Sequence, residues 1–125
     1  MYIYTNPNPI NRKIGDCVIR AVAISTNTSW EKAYMSLCQE GLELADLPNS
    51  NAVWGSYLKK VGFRKGIVPD TCPDCYTVAD FAEDNPYGTY VLCTGSHVVT
   101  IMDGNIYDAW DSSNEIPIFY YYKED

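Results

Sequence analysis

At Gly88 the chain changes character, and this break constrains the fold more than any other feature of the sequence. Ahead of it, apolar residues recur at helical spacing behind cap-type residues. Val18, Ile19, Val22 and Ala23 follow Asp16, a helix N-cap, and predict a short buried helix over 16–26. Thr28-Ser29-Trp30-Glu31 is a capping-box pattern that opens a helix to Glu40, with Gly41 as its expected end. Ser50 caps a third helix from Asn51 to Val61, closed by Gly62, and Thr77 opens a short fourth that stops before Asn85-Pro86. Phe63 to Val68 reads as a strand between the third and fourth. Beyond Gly88 come four β-branched and aromatic runs: Thr89–Cys93, His97–Met102, Asn105–Trp110 and Ile116–Tyr122. Asp103-Gly104 is a hairpin turn between the second and third of these. Helices first and an antiparallel sheet after them define an α+β class, with N-terminal helices packed on a C-terminal sheet. The Asn- and Pro-rich residues 1–14 read as extended or turn-like, and all 125 residues are expected to form one domain.

Charge narrows the choice of partners. Nine Lys and Arg against sixteen Asp and Glu leave a formal charge of −7. That balance argues against nucleic acid, whose binding rests on basic residues displacing counterions, and against an anionic membrane surface. No apolar run approaches the roughly 18 residues of a spanning helix, and Met1 to Lys13 lacks the apolar core of an export signal. A cytoplasmic location is therefore expected, with the five cysteines reduced.

Asn11-Arg-Lys-Ile-Gly-Asp-Cys17-Val-Ile-Arg-Ala is the segment that carries chemistry. It sets Cys17 in the first turn of an apolar helix, where unsatisfied N–H groups and the helix dipole favour the nucleophilic thiolate. A buried cysteine filling core space is the alternative. His97, the sole histidine, begins a strand after Gly95-Ser96. Across the hairpin lies Asp111, positioned to hold one imidazole nitrogen so that the other faces a thiol; Asp108 is its competitor.

A helix opening with Cys, further helices, a strand opening with His and a carboxylate after the next strand together resemble the papain-like cysteine peptidases. The likeness is narrower to the compact bacterial and phage members of the bacteriocin-processing type. In that family a side-chain amide six residues before the nucleophile completes the oxyanion hole, which by resemblance assigns Asn11, where the family more often has Gln. The Cys-Gly-Ser-Cys-Trp signature of papain is absent, replaced by Gly15-Asp16-Cys17-Val18, and the chain is much shorter than papain. The resemblance implies acyl transfer from a peptide or protein substrate by a Cys17–His97–Asp111 triad, with no cofactor. The alternative function is a silent binding or inhibitory module on the same scaffold.

Cys72-Pro-Asp-Cys75 offers two zinc ligands where a structural site needs four, or a thioredoxin-like pair lacking the βαβ setting; a tight loop with two reduced thiols is the reading kept. Cys38 and Cys93 read as core, as do Trp30, Trp54 and Trp110. Trp110 beside Asp111 is placed to shield the Asp–His hydrogen bond. The Phe119–Tyr122 run could offer an exposed edge for dimerisation, and Lys123-Glu-Asp a solvated tail.

Overall fold

The computed structural model describes residues 1–123; Glu124 and Asp125, the end of the expected tail, lie outside the described residues. In chain order the elements are β1 (Tyr2–Tyr4), α1 (Cys17–Ser25), α2 (Trp30–Leu44), α3 (Asn51–Lys60), β2 (Phe63–Ile67) and α4 (Val78–Asp84), followed by β3 (Thr89–Cys93), β4 (Val98–Met102), β5 (Asn105–Asp108) and β6 (Phe119–Lys123). The six strands form one sheet in the order β1-β5-β4-β3-β6-β2.

The helices start where polar side chains satisfy their first N–H groups. Ser29 Oγ accepts from Lys32 N at 3.0 Å, Ser50 Oγ accepts from Val53 N at 3.3 Å, and Thr77 with Asp80 forms a reciprocal capping box. Gly41 does not end α2. It is buried, and a Cβ there would lie 2.8 Å from the Asp46 carbonyl, so its small size lets the following loop close over the helix. The helix runs on to Leu44 and stops at Ala45, which takes the left-handed conformation.

The sheet is mixed rather than wholly antiparallel, because β1 lies parallel to β5, with Tyr2 beside Ile106 and Tyr4 beside Asp108. Strand β6 pairs with both β3 and β2, so the aromatic Phe119–Tyr122 run is interior and offers no edge. The edges are β1 and β2.

Both faces of the sheet are covered, which explains why β3 and β4 read as continuous apolar runs instead of alternating ones. On one face Val18, Val22, Leu37, Trp54 and Leu58 of α1–α3 pack with Val91, Cys93, Val98 and Tyr121. On the other, Val78 and Phe81 of α4 pack with Leu92, Val99, Ile101 and Ile106. Trp54 is core as expected, Trp30 is half-buried, and Trp110 is 46% exposed, a correction to its core assignment.

One packing relation builds the site. Thr100 Oγ1 of β4 donates to the Ala21 carbonyl of α1 at 2.9 Å, while the Val98 N–H meets the Cys17 sulfur. Four helix residues rise about 6 Å and two strand residues about 6.6 Å. Helix α1 therefore runs along β4 with the same polarity, and Cys17 sits level with the start of the strand.

Candidate active site

Cys17 is the first residue of α1 and is partly buried. Asp16 stands at the N-cap position, yet its side chain caps nothing. Its carboxylate instead pairs with Arg20 Nη1 and accepts from the Trp30 indole N–H at 2.9 Å and the Asn8 amide at 3.4 Å. The positive end of the helix is thereby left facing the thiol.

His97 immediately precedes β4 and is 7% exposed. Its Nε2 is 2.6 Å from Oδ2 of Asp108, and the ring lies near enough to the Cys17 side chain to influence its ionisation. With Nε2 engaged by the carboxylate, Nδ1 is the nitrogen left for the sulfur.

The carboxylate at His97 is Asp108 and not Asp111, a correction to the triad expected from the sequence. Strand β5 ends at Asp108. Asp111 lies exposed in the following loop, where its Oδ1 accepts from the Ser113 N–H at 3.1 Å and from the Ser113 hydroxyl. Asp108 is 3% exposed and held from every side. Ser112 Oγ donates to Oδ2 at 2.7 Å, the Ala109 N–H donates to Oδ1 at 2.8 Å, and Arg20 Nη2 lies 3.5 Å from Oδ1. Its backbone carbonyl accepts from the Thr5 N–H at 2.7 Å and the Tyr2 hydroxyl at 3.1 Å, so β1 also fixes it.

Trp110 covers the imidazole, ring centroids 4.5 Å apart, and limits the access of water to the His97–Asp108 hydrogen bond. Asn11 is exposed, with φ of 52°, and its carboxamide oxygen accepts from the Tyr4 hydroxyl and the Asn6 amide, both at 3.0 Å. None of these bonds joins Asn11 to Cys17, His97 or Asp108.

The charges support one another. Burial opposes ionisation of Cys17, but the His97 hydrogen bond, the Val98 N–H and the positive charges of His97 and Arg20 outweigh it and bring the thiol below its ordinary value. Burial would likewise discharge His97, but hydrogen bonds with Asp108 and Cys17 raise it to about 9. Burial works against the Asp108 carboxylate as well, and the His97 and Ser112 hydrogen bonds overcome it and lower its value. The result is an alternating array from Asp16 through Arg20, Asp108 and His97 to the sulfur of Cys17.

Arg20 and Ser112 are the members that the sequence reading did not single out. For Arg20 the available signal is a lone cation in an otherwise apolar helix, four residues after a carboxylate, a spacing that brings the pair together. Ser112 carries no such mark.

The imidazole gives the site a pH signature. A folded-state value raised above the ordinary 6.5 stabilises the fold fully below pH 6.5, and that stabilisation is lost as pH rises toward 9. The Cys17 thiol, shifted the other way, contributes with opposite sign, so the measurement belongs in a Cys17→Ala background. There the melting-temperature gap between that protein and its His97→Gln derivative is expected to narrow steadily above pH 6.5. A gap that stays constant or widens contradicts a raised His97.

Among the described residues no cluster of three or more His, Cys, Asp or Glu side chains could hold a metal ion, and no helix is long and apolar enough to cross a membrane. Compared with the models of known protein families, with curated proteins and with solved structures, the chain matches none.

Proposed function

We propose that this chain is a cysteine-dependent acyl-transfer enzyme of papain-like arrangement, a peptidase- or amidase-like hydrolase acting in the cytoplasm on a peptide or protein. Cys17 attacks the substrate carbonyl as a thiolate, forming a thioester as the amine leaves. His97 carries the thiol proton, delivers it to the departing amine, and then takes a proton from the attacking water. Asp108 fixes the tautomer of the ring and balances the imidazolium charge. The backbone N–H of Cys17 and the Asn11 amide, whose oxygen is already held, are the donors we assign to the developing oxyanion. Loss of one such donor typically costs about 2.7–4 kcal/mol of transition-state stabilisation.

The observation that carries this reading is His97 bonded to Asp108 through Nε2 at 2.6 Å while the same ring lies beside the sulfur at a helix N-terminus and lowers its pKa. A structural histidine needs no second partner of that kind.

The test is the rate of Cys17 alkylation by iodoacetamide as a function of pH, in wild type and in His97→Ala. Reactivity persisting well below pH 8 in the wild type, and moving to a midpoint near the ordinary 8.5 in the variant, supports the enzyme. Identical midpoints near 8.5 in both proteins refute it. Hydrolysis of a fluorogenic peptide library, lost in Cys17→Ser, then separates turnover from a silent module.

A further inference from the structure

The Cys72-Pro-Asp-Cys75 segment is not a pair of reduced thiols in this structure: the two sulfurs are joined in a disulfide, with Cα atoms 4.1 Å apart. We propose that this disulfide is a second reactive centre, a thiol–disulfide exchange site that accepts two electrons from small or peptide thiols. It is independent of the Cys17 site and does not rest on the acyl-transfer reading.

The first argument is what the cross-link fails to do. A disulfide stabilises by limiting the unfolded chain, and the effect grows with the length of the loop closed. This one spans three positions, the short end of that scale. Neither cysteine belongs to either hydrophobic cluster, so the bond clamps no part of the core. Zinc, the other structural use of such a pair, has no further ligands gathered here among the described residues.

The second argument is access. Cys72, Pro73 and Asp74 are exposed and Cys75 is half-buried, so an incoming sulfur meets Cys72 first. Clefts of about 370 and 290 Å³ flank the loop, both lined by Val68, Pro69, Thr71 and Tyr76, and leave room for the chain that carries the thiol. Exposed disulfides are the exchangeable ones, whereas structural disulfides resist glutathione.

The third argument is reversibility. The Cys72 N–H is held by Asp70 Oδ1 at 3.0 Å and the Tyr76 N–H by Thr71 Oγ1 at 2.9 Å, neither bond involving sulfur. Tyr76 also stacks edge-on against Phe81, with centroids 6.5 Å apart. The loop ends therefore stay anchored after reduction, and the two thiols remain neighbours.

The exchange balances as follows. A thiolate attacks the Cys72 sulfur, the Cys72–Cys75 bond breaks, and Cys75 departs as thiolate, leaving a mixed disulfide. A second thiolate attacks the substrate sulfur of that mixed disulfide and releases Cys72. Two thiols become one disulfide, and their two protons end on Cys72 and Cys75. Glutathione disulfide reverses the sequence.

The experiment equilibrates the full chain, carrying Cys17→Ala to remove the competing thiol, in glutathione buffers spanning cytosolic to secretory ratios. Differential alkylation with mass spectrometry reads each cysteine. The expected result is a crossing from mostly oxidised to mostly reduced within the series, reached from either direction, with near-UV circular dichroism unchanged. Cys75→Ser in the same background is expected to accumulate glutathione on Cys72 faster than on Cys38, the half-buried reference. A pair that stays oxidised at every ratio and yields only to dithiothreitol overturns the proposal. So does a pair that never re-forms from the reduced chain, or a loss of near-UV signal on reduction, which would mark a structural cross-link.

Discussion

An Asp108→Asn variant is expected to lose most of the reactivity of Cys17 at pH 6, while Asp111→Asn keeps all of it. Asparagine fits the space but carries no charge, so the imidazolium loses the carboxylate 2.6 Å from Nε2. Its amide can also donate to Nε2 and hold the ring in the wrong tautomer, with the proton fixed on Nδ1, so that the ring can no longer take the proton of the thiol. As His97 falls back toward its ordinary value, the thiol of Cys17 rises, because each is shifted partly by the other. At pH 6 a thiol of ordinary pKa, about 8.5, is ionised to roughly 0.3%, so the alkylation rate falls about tenfold for each pH unit by which the Cys17 thiol rises in the variant. Asp111 is exposed and bonded to Ser113, and its neutralisation leaves the array intact. Iodoacetamide kinetics on the two variants, with near-UV circular dichroism to confirm the fold, decide the matter. Equal rates at pH 6, or a larger effect at Asp111, would remove Asp108 from the site.

That the sequence reading chose Asp111 has a geometric cause. Asp103 and Gly104 both have positive φ, 49° and 77°, as the two-residue hairpin turn requires, and this sets Met102 opposite Asn105. Counting outward along that register brings His97 level with Trp110, whose rings do meet, and diagonal to Asp108. Extending the return strand to Trp110 instead carried the expected carboxylate three residues too far. The information was present in the turn; it needed the register count. The caps at Ser50 and Thr77 were legible because a single polar side chain decides each helix start, whereas the second helix is capped by Ser29 alone, one residue on from the Thr28–Glu31 box the sequence suggests. Strand β1 was not, because three residues are too few to show alternation and its partner lies a hundred residues away. Gly41 misled because a glycine that permits close packing and one that ends a helix look alike in one dimension. The bridge from Arg20 to Asp108 was invisible for a further reason: it exists only once α1 has docked along β4.

That bridge is the basis of the second large effect. Arg20 is 7% exposed, pairs with Asp16 through Nη1, and reaches Asp108 through Nη2 at 3.5 Å. Arg20→Met keeps much of the length and apolar stem but leaves two buried carboxylates without their shared cation. Breaking a buried pair from one side typically costs about 3–5 kcal/mol, and a loss of that order in urea unfolding is the expected result. The same variant is expected to raise the pH midpoint of Cys17 alkylation, since the Arg20 charge is one of the influences that lower the thiol. Adding Asp16→Asn separates the two roles. The double variant removes one of the stranded charges, so part of the lost stability returns, while the raised alkylation midpoint remains because nothing has replaced the cation near Asp108 and Cys17. Asp16→Asn alone keeps the cation and is expected to leave the midpoint close to wild type, with the Trp30 and Asn8 contacts still available to its side-chain oxygen. If Arg20→Met costs less than about 1 kcal/mol, the range of exposed pairs, then water already reaches the array and the alternating charges cannot be what lowers the Cys17 thiol.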